Sequence, residues 1–163
     1  MNIQDFATLI TQMKQGPVPR RLIFLWSGSE AGLEEILDGV EIHRCDLVSV
    51  RPSRPLADKD LKKLLEAYIS QQCQDYEKQR NEPSVLIIAD AILLARYGCN
   101  MSVFFRYGIS PRSAVVLLFP TDSNRHLPVK AEGWVKRDTR AIIERVSKQL
   151  GEPKCIIEAS GGQ

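Results

Sequence analysis

Three groups of residues in this sequence have types and spacings that could support chemistry. The first follows the apolar run Arg21–Ser27 and reads Gly28-Ser29-Glu30-Ala31-Gly32. A glycine-containing turn between a strand and a helix aims backbone N–H groups and a helix N-terminus at one spot, which suits an anion. Gly28, Ser29 and Gly32 are its candidate contacts, and an ordinary strand-to-helix turn is the alternative. The second group closes two further apolar runs: Asp90 after Ser84–Ala89, then Thr121 and Asp122 after Ser113–Phe119. An Asp in that position could meet a ligand or a metal, or it could cap a helix starting at Ala91. The third group is basic with aromatics interleaved: Arg112, Arg125, Lys130, Trp134, Lys136, Arg137 and Arg140, flanked by Arg96, Arg106, Arg145, Tyr97 and Tyr107. Such a set fits phosphate contacts and base stacking. It fits equally well a solvated basic face with Trp134 packed on the core edge.

Other chemistries find little support. The serine of Gly28-Ser29-Glu30-Ala31-Gly32 stands one place too early for a GxSxG nucleophile turn, and His43 and His126 are isolated bases. The four cysteines, Cys45, Cys73, Cys99 and Cys155, form no CxxC pair. Zinc sites favour short paired spacings, so four free thiols are expected, with no resident metal and no cofactor.

The elements that must position these groups follow from periodicity. Ile3, Phe6, Leu9, Ile10 and Met13 make a helical stripe behind an Asn2 cap, and Gly16-Pro17 stops it. Arg21–Ser27 is apolar on both faces, as a central parallel strand covered by helices would be. A short helical patch, Leu33–Leu37, follows the glycine loop. Val40–Val48 reads as a second strand and Arg51–Pro55 as a proline loop. The longest helix runs from Ala57 or Asp58 to about Arg80, with Leu61, Leu64, Leu65, Tyr68, Ile69, Cys73 and Tyr76 on its apolar face. Ser84–Asp90 is a third strand. Ala91–Tyr107 reads as two short helices or one broken at Gly98, and Ser113–Phe119 as a fourth strand. A polar loop (120–135), a helix Thr139–Leu150 and a short strand Lys154–Glu158 complete the order.

Strands alternating with helices imply parallel pairing. The expected fold is therefore α/β: one domain over residues 1–158, a three-layer sandwich around a mostly parallel five-stranded sheet, with residues 159–163 as a flexible tail. Ligands in such sheets sit beyond the strand C-termini, which selects Gly28, Ser29, Gly32, Asp90, Thr121 and Asp122.

Charge is uneven. The net value is +2, yet residues 96–163 carry 11 Lys/Arg against 6 Asp/Glu, while residues 1–95 are acidic. No apolar run approaches the roughly 20 residues of a membrane helix, and the first residues lack a signal-peptide pattern. A cytoplasmic location without membrane contact is expected.

The chain resembles a P-loop NTPase core of the AAA-like kind over roughly residues 20–158. Leu22–Ser27 stands where the strand before the phosphate loop would be. Leu86–Asp90 looks like a Walker B strand with Asp90 on the metal side, and Ser113–Phe119 looks like the sensor strand that follows. The resemblance implies a P-loop-like strand order and a nucleotide edge, but the Walker A chemistry is missing. With Gly28 as first glycine of GxxxxGK[ST], Leu33 takes the second glycine, and Glu34 and Glu35 take the lysine and hydroxyl. With Gly32 as second glycine, Leu33 takes the lysine. Neither register supplies the cation for the β/γ-phosphates or the hydroxyl for Mg²⁺. Ala91 also stands where a second acid would polarise water. The expectation is a non-catalytic version that binds a protein partner within a larger assembly. The stretch Leu94–Pro120 is similar to small accessory proteins of bacterial phage-defence islands of the BREX type, which implies an accessory role in defence or DNA transactions. A nucleic-acid module using the basic C-terminal set, and a small-molecule enzyme using Asp90 and Asp122, are the other two readings.

Overall fold

The computed structural model describes residues 1–19, 22–27, 29–50, 52–106, 110–119, 146, 148 and 156–158. The chain opens with α1 (Ile3–Gln15), and the Asn2 side chain caps it by accepting from the Asp5 N–H at 2.7 Å. The cap satisfies one of the orphan N–H groups of the first turn. Phe6, Ile10 and Met13 are fully buried, at the i, i+4, i+7 positions of one helix face.

β1 (Ile23–Ser27) follows, then α2 (Glu30–Ile36), β2 (Glu41–Asp46) and a 3₁₀ turn, Leu47–Ser49. α3 (Asp58–Gln79) is the longest helix, and it inserts Leu65, Ile69, Cys73 and Tyr76 into the core. Leu61, Leu64 and Tyr68, placed on the same face by periodicity, are only half-buried. β3 (Ser84–Ala89) comes next, then α4 (Ile92–Arg96) and α5 (Val103–Arg106). The break between these two helices falls at Gly98, whose φ of +63° is a left-handed conformation that glycine adopts without steric cost. β4 (Ser113–Phe119) and the three-residue β5 (Ile156–Glu158) complete the described elements.

The sheet order is β2-β3-β4-β1-β5, and every pairing is parallel. Four strands of five to seven residues make its body, and β5 adds a short edge beside β1. Its weight is thus four strands and a fragment rather than five comparable ones. Side chains alternate between two apolar layers, as the period of two along a strand requires. Phe24, Trp26, Val85, Ile87, Val116 and Leu118 meet α1 and α2 on one face. Ile23, Leu25, Leu86, Ile88, Val115 and Leu117 meet α3, α4, α5 and Val146 on the other. Every residue of β3 and β4 is buried, which explains why these runs are apolar throughout rather than alternating. No helix among the described residues is long and apolar enough to cross a membrane.

Several sequence-based boundaries differ from the structure, two of them by two residues or more beside the candidate site. β2 ends at Asp46, because the chain tightens into the 3₁₀ turn where Ser49 Oγ donates to the Asp46 carbonyl at 2.6 Å. α2 begins at Glu30, not Leu33, so Gly32 lies inside a helix and not in a loop. The cause is Ser29, whose Oγ accepts from the Ala31 N–H at 3.3 Å and starts the helix two residues after β1 ends. The loop 120–135, nearly all of the helix 139–150 and the tail 159–163 lie outside the described residues.

Candidate functional site at the strand ends

Parallel pairing brings the C-terminal ends of all the strands to one edge. Ser27 is level with Phe119 on one side and Glu158 on the other, and Asp46 is level with Ala89, one residue before Asp90. Ser29 and Asp90, selected from sequence, therefore do share this edge, with β4 between their strands. Gly28, Thr121 and Asp122 lie outside the described residues.

The junction after β1 is built around Trp26. Its indole is buried at 1% exposure, stacks in a tilted contact with Phe6, and donates Nε1–H to the Ser29 carbonyl at 3.1 Å. Gly32 faces the same ring, and a Cβ there would stand 3.9 Å from it, an ordinary contact. Gly32 is thus not a position where only glycine lets a ligand approach. Leu33, which falls on the Walker A lysine in one register, is 1% exposed and packs in the core with Phe24 and Trp26. Glu34 and Glu35 are exposed.

Glu30, in the first turn of α2, is already engaged. Arg44 on β2 donates Nη1–H to it at 2.8 Å and Nη2–H at 3.4 Å, and its Nε–H goes to Asp46 at 3.0 Å. The two carboxylates, Glu30 first, raise the guanidinium pKa further above its ordinary value. An acid at a helix start is favourable in itself, but here it places a carboxylate and its own cation where an incoming phosphate would need a free one. Arg44 was not singled out from the sequence. The one available signal was the i, i+2 spacing of Arg44 and Asp46, which puts them on one strand face.

Asp90 adopts φ +55°, in the left-handed region that Asp tolerates better than most side chains. Its carbonyl accepts from the Leu93 N–H at 3.0 Å, while the Ala91 N–H donates to the Leu118 carbonyl at 3.0 Å and ties this turn to β4. α4 takes Ala91 as its N-cap residue, and the Asp90 carbonyl lies one residue before it.

The third group is divided. Arg112 lies at the opposite edge of the sheet, just before β4, and its guanidinium donates to the Met13 carbonyl at 3.3 Å and the Lys14 carbonyl at 2.9 Å. It closes the C-terminus of α1, as a cation there should. Arg125, Lys130, Trp134, Lys136, Arg137 and Arg140 lie outside the described residues.

That opposite edge carries a polar network the sequence reading missed. Glu41 accepts from the Asn81 backbone N–H and side-chain amide, each at 3.0 Å, and from His43. These bonds, the Asn81 N–H first, hold its carboxyl below the usual range. The Tyr76 hydroxyl meets Ser84 Oγ at 2.8 Å, and Ser110 donates to Glu82. Both Ser84 and Ser113 are fully buried, so hydroxyl partners replace water there.

Cys45, Cys73 and Cys99 are free and buried, and Cys155 lies outside the described residues. Burial pushes their thiols up to about 11, 12 and 11, respectively. Thiols of that kind are poor nucleophiles and poor metal ligands. Among the described residues, no three His, Cys, Asp or Glu side chains are grouped to hold a metal ion. No family model matches the chain, and no curated protein matches it.

Proposed function

We propose that the chain is a non-catalytic P-loop-like domain that works by binding, as an accessory or adaptor subunit of a larger bacterial assembly acting on DNA. The observation that carries this reading is the fate of Leu33. Where an AAA-like core would aim a lysine at the β/γ-phosphates, this chain buries a leucine beneath the sheet. The strand order supports the P-loop-like part of the reading. The strand matched to the phosphate loop, β1, is separated from the strand matched to Walker B, β3, by the one matched to the sensor, β4. The phage-defence setting rests on the likeness of residues 94–120. Leu94, Cys99, Met101, Phe104 and Ala114–Phe119 in that stretch are buried, so it speaks for a shared core rather than a shared partner surface.

Calorimetric titration with ATP and Mg²⁺, alongside a phosphate-release assay, tests the proposal. The expected result is no hydrolysis and no micromolar affinity. Mg²⁺-dependent ATP binding that disappears in Asp90→Asn would overturn it. The Asn variant removes the charge yet keeps a side chain that tolerates the left-handed backbone.

A second reading, nucleic-acid binding, is favoured by one observation, the excess of 11 Lys/Arg over 6 Asp/Glu in residues 96–163. It calls for a gel shift that weakens steeply with salt and with Arg137→Glu plus Arg140→Glu. A chain that shifts no nucleic acid at low salt contradicts it.

A further inference from the structure

Among the described residues, β2 is a terminal strand of the sheet and pairs only with β3. The phase of its free edge follows from one bond. The Glu41 N–H donates to the Pro83 carbonyl at 3.0 Å, so Glu41, His43 and Cys45 turn their backbone groups toward β3. Ile42 and Arg44 then turn theirs outward. Native edge strands are commonly blocked by lysine, proline or outward charge. β2 has no lysine and no proline, and its charged side chains are drawn into internal pairs: Glu41 onto Asn81 and His43, Arg44 onto Glu30 and Asp46. Ile42, in contrast, is 45% exposed, the most exposed large apolar side chain among the described residues.

We propose that the β2 edge pairs antiparallel with β2 of a second copy of this chain, about a two-fold axis at Ile42. Hydrogen-bonded pairs in an antiparallel ladder join residues that both point outward, here Ile42, Arg44 and Asp46, which leaves five registers. Centring on Asp46 sets two aspartates opposite each other, and centring on Cys45 pairs Arg44 with the second copy's Asp46 but leaves Ile42 beyond the paired strands. Centring on Arg44 sets two arginines opposite each other, and like charges directly opposite destabilise a ladder. Centring on His43 sets Ile42 against the second copy's Arg44 and two histidines against each other. Centring on Ile42 sets the two exposed isoleucines together and places Glu41 opposite the second copy's His43, twice. Only this register matches apolar with apolar and acid with base. It buries the exposed isoleucine and joins two sheets into one. An interface made chiefly of one short strand is small, so the dimer is weak and depends on concentration. The proposal is independent of any nucleotide site.

Sedimentation equilibrium from micromolar to millimolar chain tests it. The mass should rise from one chain toward two, and Ile42→Lys should hold it at one chain with an unchanged circular-dichroism spectrum. Ile42→Cys should couple to itself on mild oxidation, because the opposed Cα atoms of a hydrogen-bonded pair stand about 5.5 Å apart, within disulfide reach. A parent chain that stays monomeric at millimolar concentration overturns the proposal, and so does a dimer that Ile42→Lys leaves intact. An Ile42→Cys variant that couples no faster than the parent overturns the register.

Discussion

Tyr76→Phe isolates a single buried hydroxyl. Tyr76 is 2% exposed in the last turns of α3, and Ser84, at 0%, opens β3. Their oxygens stand 2.8 Å apart. The ring also meets His43 edge-on at 5.0 Å between centroids and lies under the Arg80 guanidinium at 5.6 Å. Phenylalanine keeps both ring contacts and deletes only the hydroxyl, which leaves Ser84 with a buried polar atom short of a partner. That loss costs about 1–3 kcal/mol, whereas removing both members of a pair costs much less than the two single changes together. Tyr76→Phe with Ser84→Ala should therefore be markedly less destabilised than the sum, with a coupling of about 1 kcal/mol. Urea unfolding followed by circular dichroism measures all four corners of the cycle. The slope m should stay constant, because the surface exposed on unfolding does not change. In a chain of this size each kcal/mol moves Tm by about 2–4 °C, so the Tyr76→Phe loss is visible in a melt as well. Strict additivity, or a neutral Tyr76→Phe, would refute the hydroxyl pair as a source of stability and with it the argument that this edge is held by a polar network.

Three further predictions concern the thiols, stability at high pH and Asp90. Cys45, Cys73 and Cys99 should resist a thiol reagent at pH 8 in the native chain and react at once in urea. Values of about 11 to 12 against an ordinary 9.0 leave at least about 100-fold less thiolate; more than one rapidly labelled native thiol would contradict their burial. The same raised values, with burial raising Tyr76 as well, make the folded state bind protons the unfolded state releases. That stability is complete below pH 9 and is lost as pH rises toward 11–12, so Tm should fall across that window. At Asp90, φ +55° predicts that Asp90→Val is destabilised relative to Asp90→Gly by about 1–2 kcal/mol or more. Equal urea midpoints for the two variants would show that the backbone there is not left-handed.

Much of the frame was legible before any coordinates. Apolar runs with no polar face gave β1, β3 and β4, because a strand covered by helices on both sides has no wet face to record. The stripe in α1, its Asn2 cap, the long α3 and the break at Gly98 were legible as well, each being a local preference of a few residues. The α2 start was misjudged because two local signals competed, glycine arguing for a loop and the Ser29 cap for a helix. The cap prevailed once Trp26 fixed the Ser29 carbonyl from below.

The sequence by itself determined the α/β class, the order of elements, and the absence of a Walker A lysine and hydroxyl. These depend on residue type and spacing along the chain, which sequence contains in full. Only the tertiary structure decided that Leu33 is buried, that Arg44 is committed to Glu30 and Asp46, that Arg112 seals α1 at the far edge, and that Ile42 remains exposed on the terminal strand among the described residues. Each of those outcomes joins residues from elements far apart in the chain, and a side chain's partner depends on which strands become neighbours. The order β2-β3-β4-β1-β5 made that choice, and it is set by packing two apolar layers against one sheet rather than by any local preference.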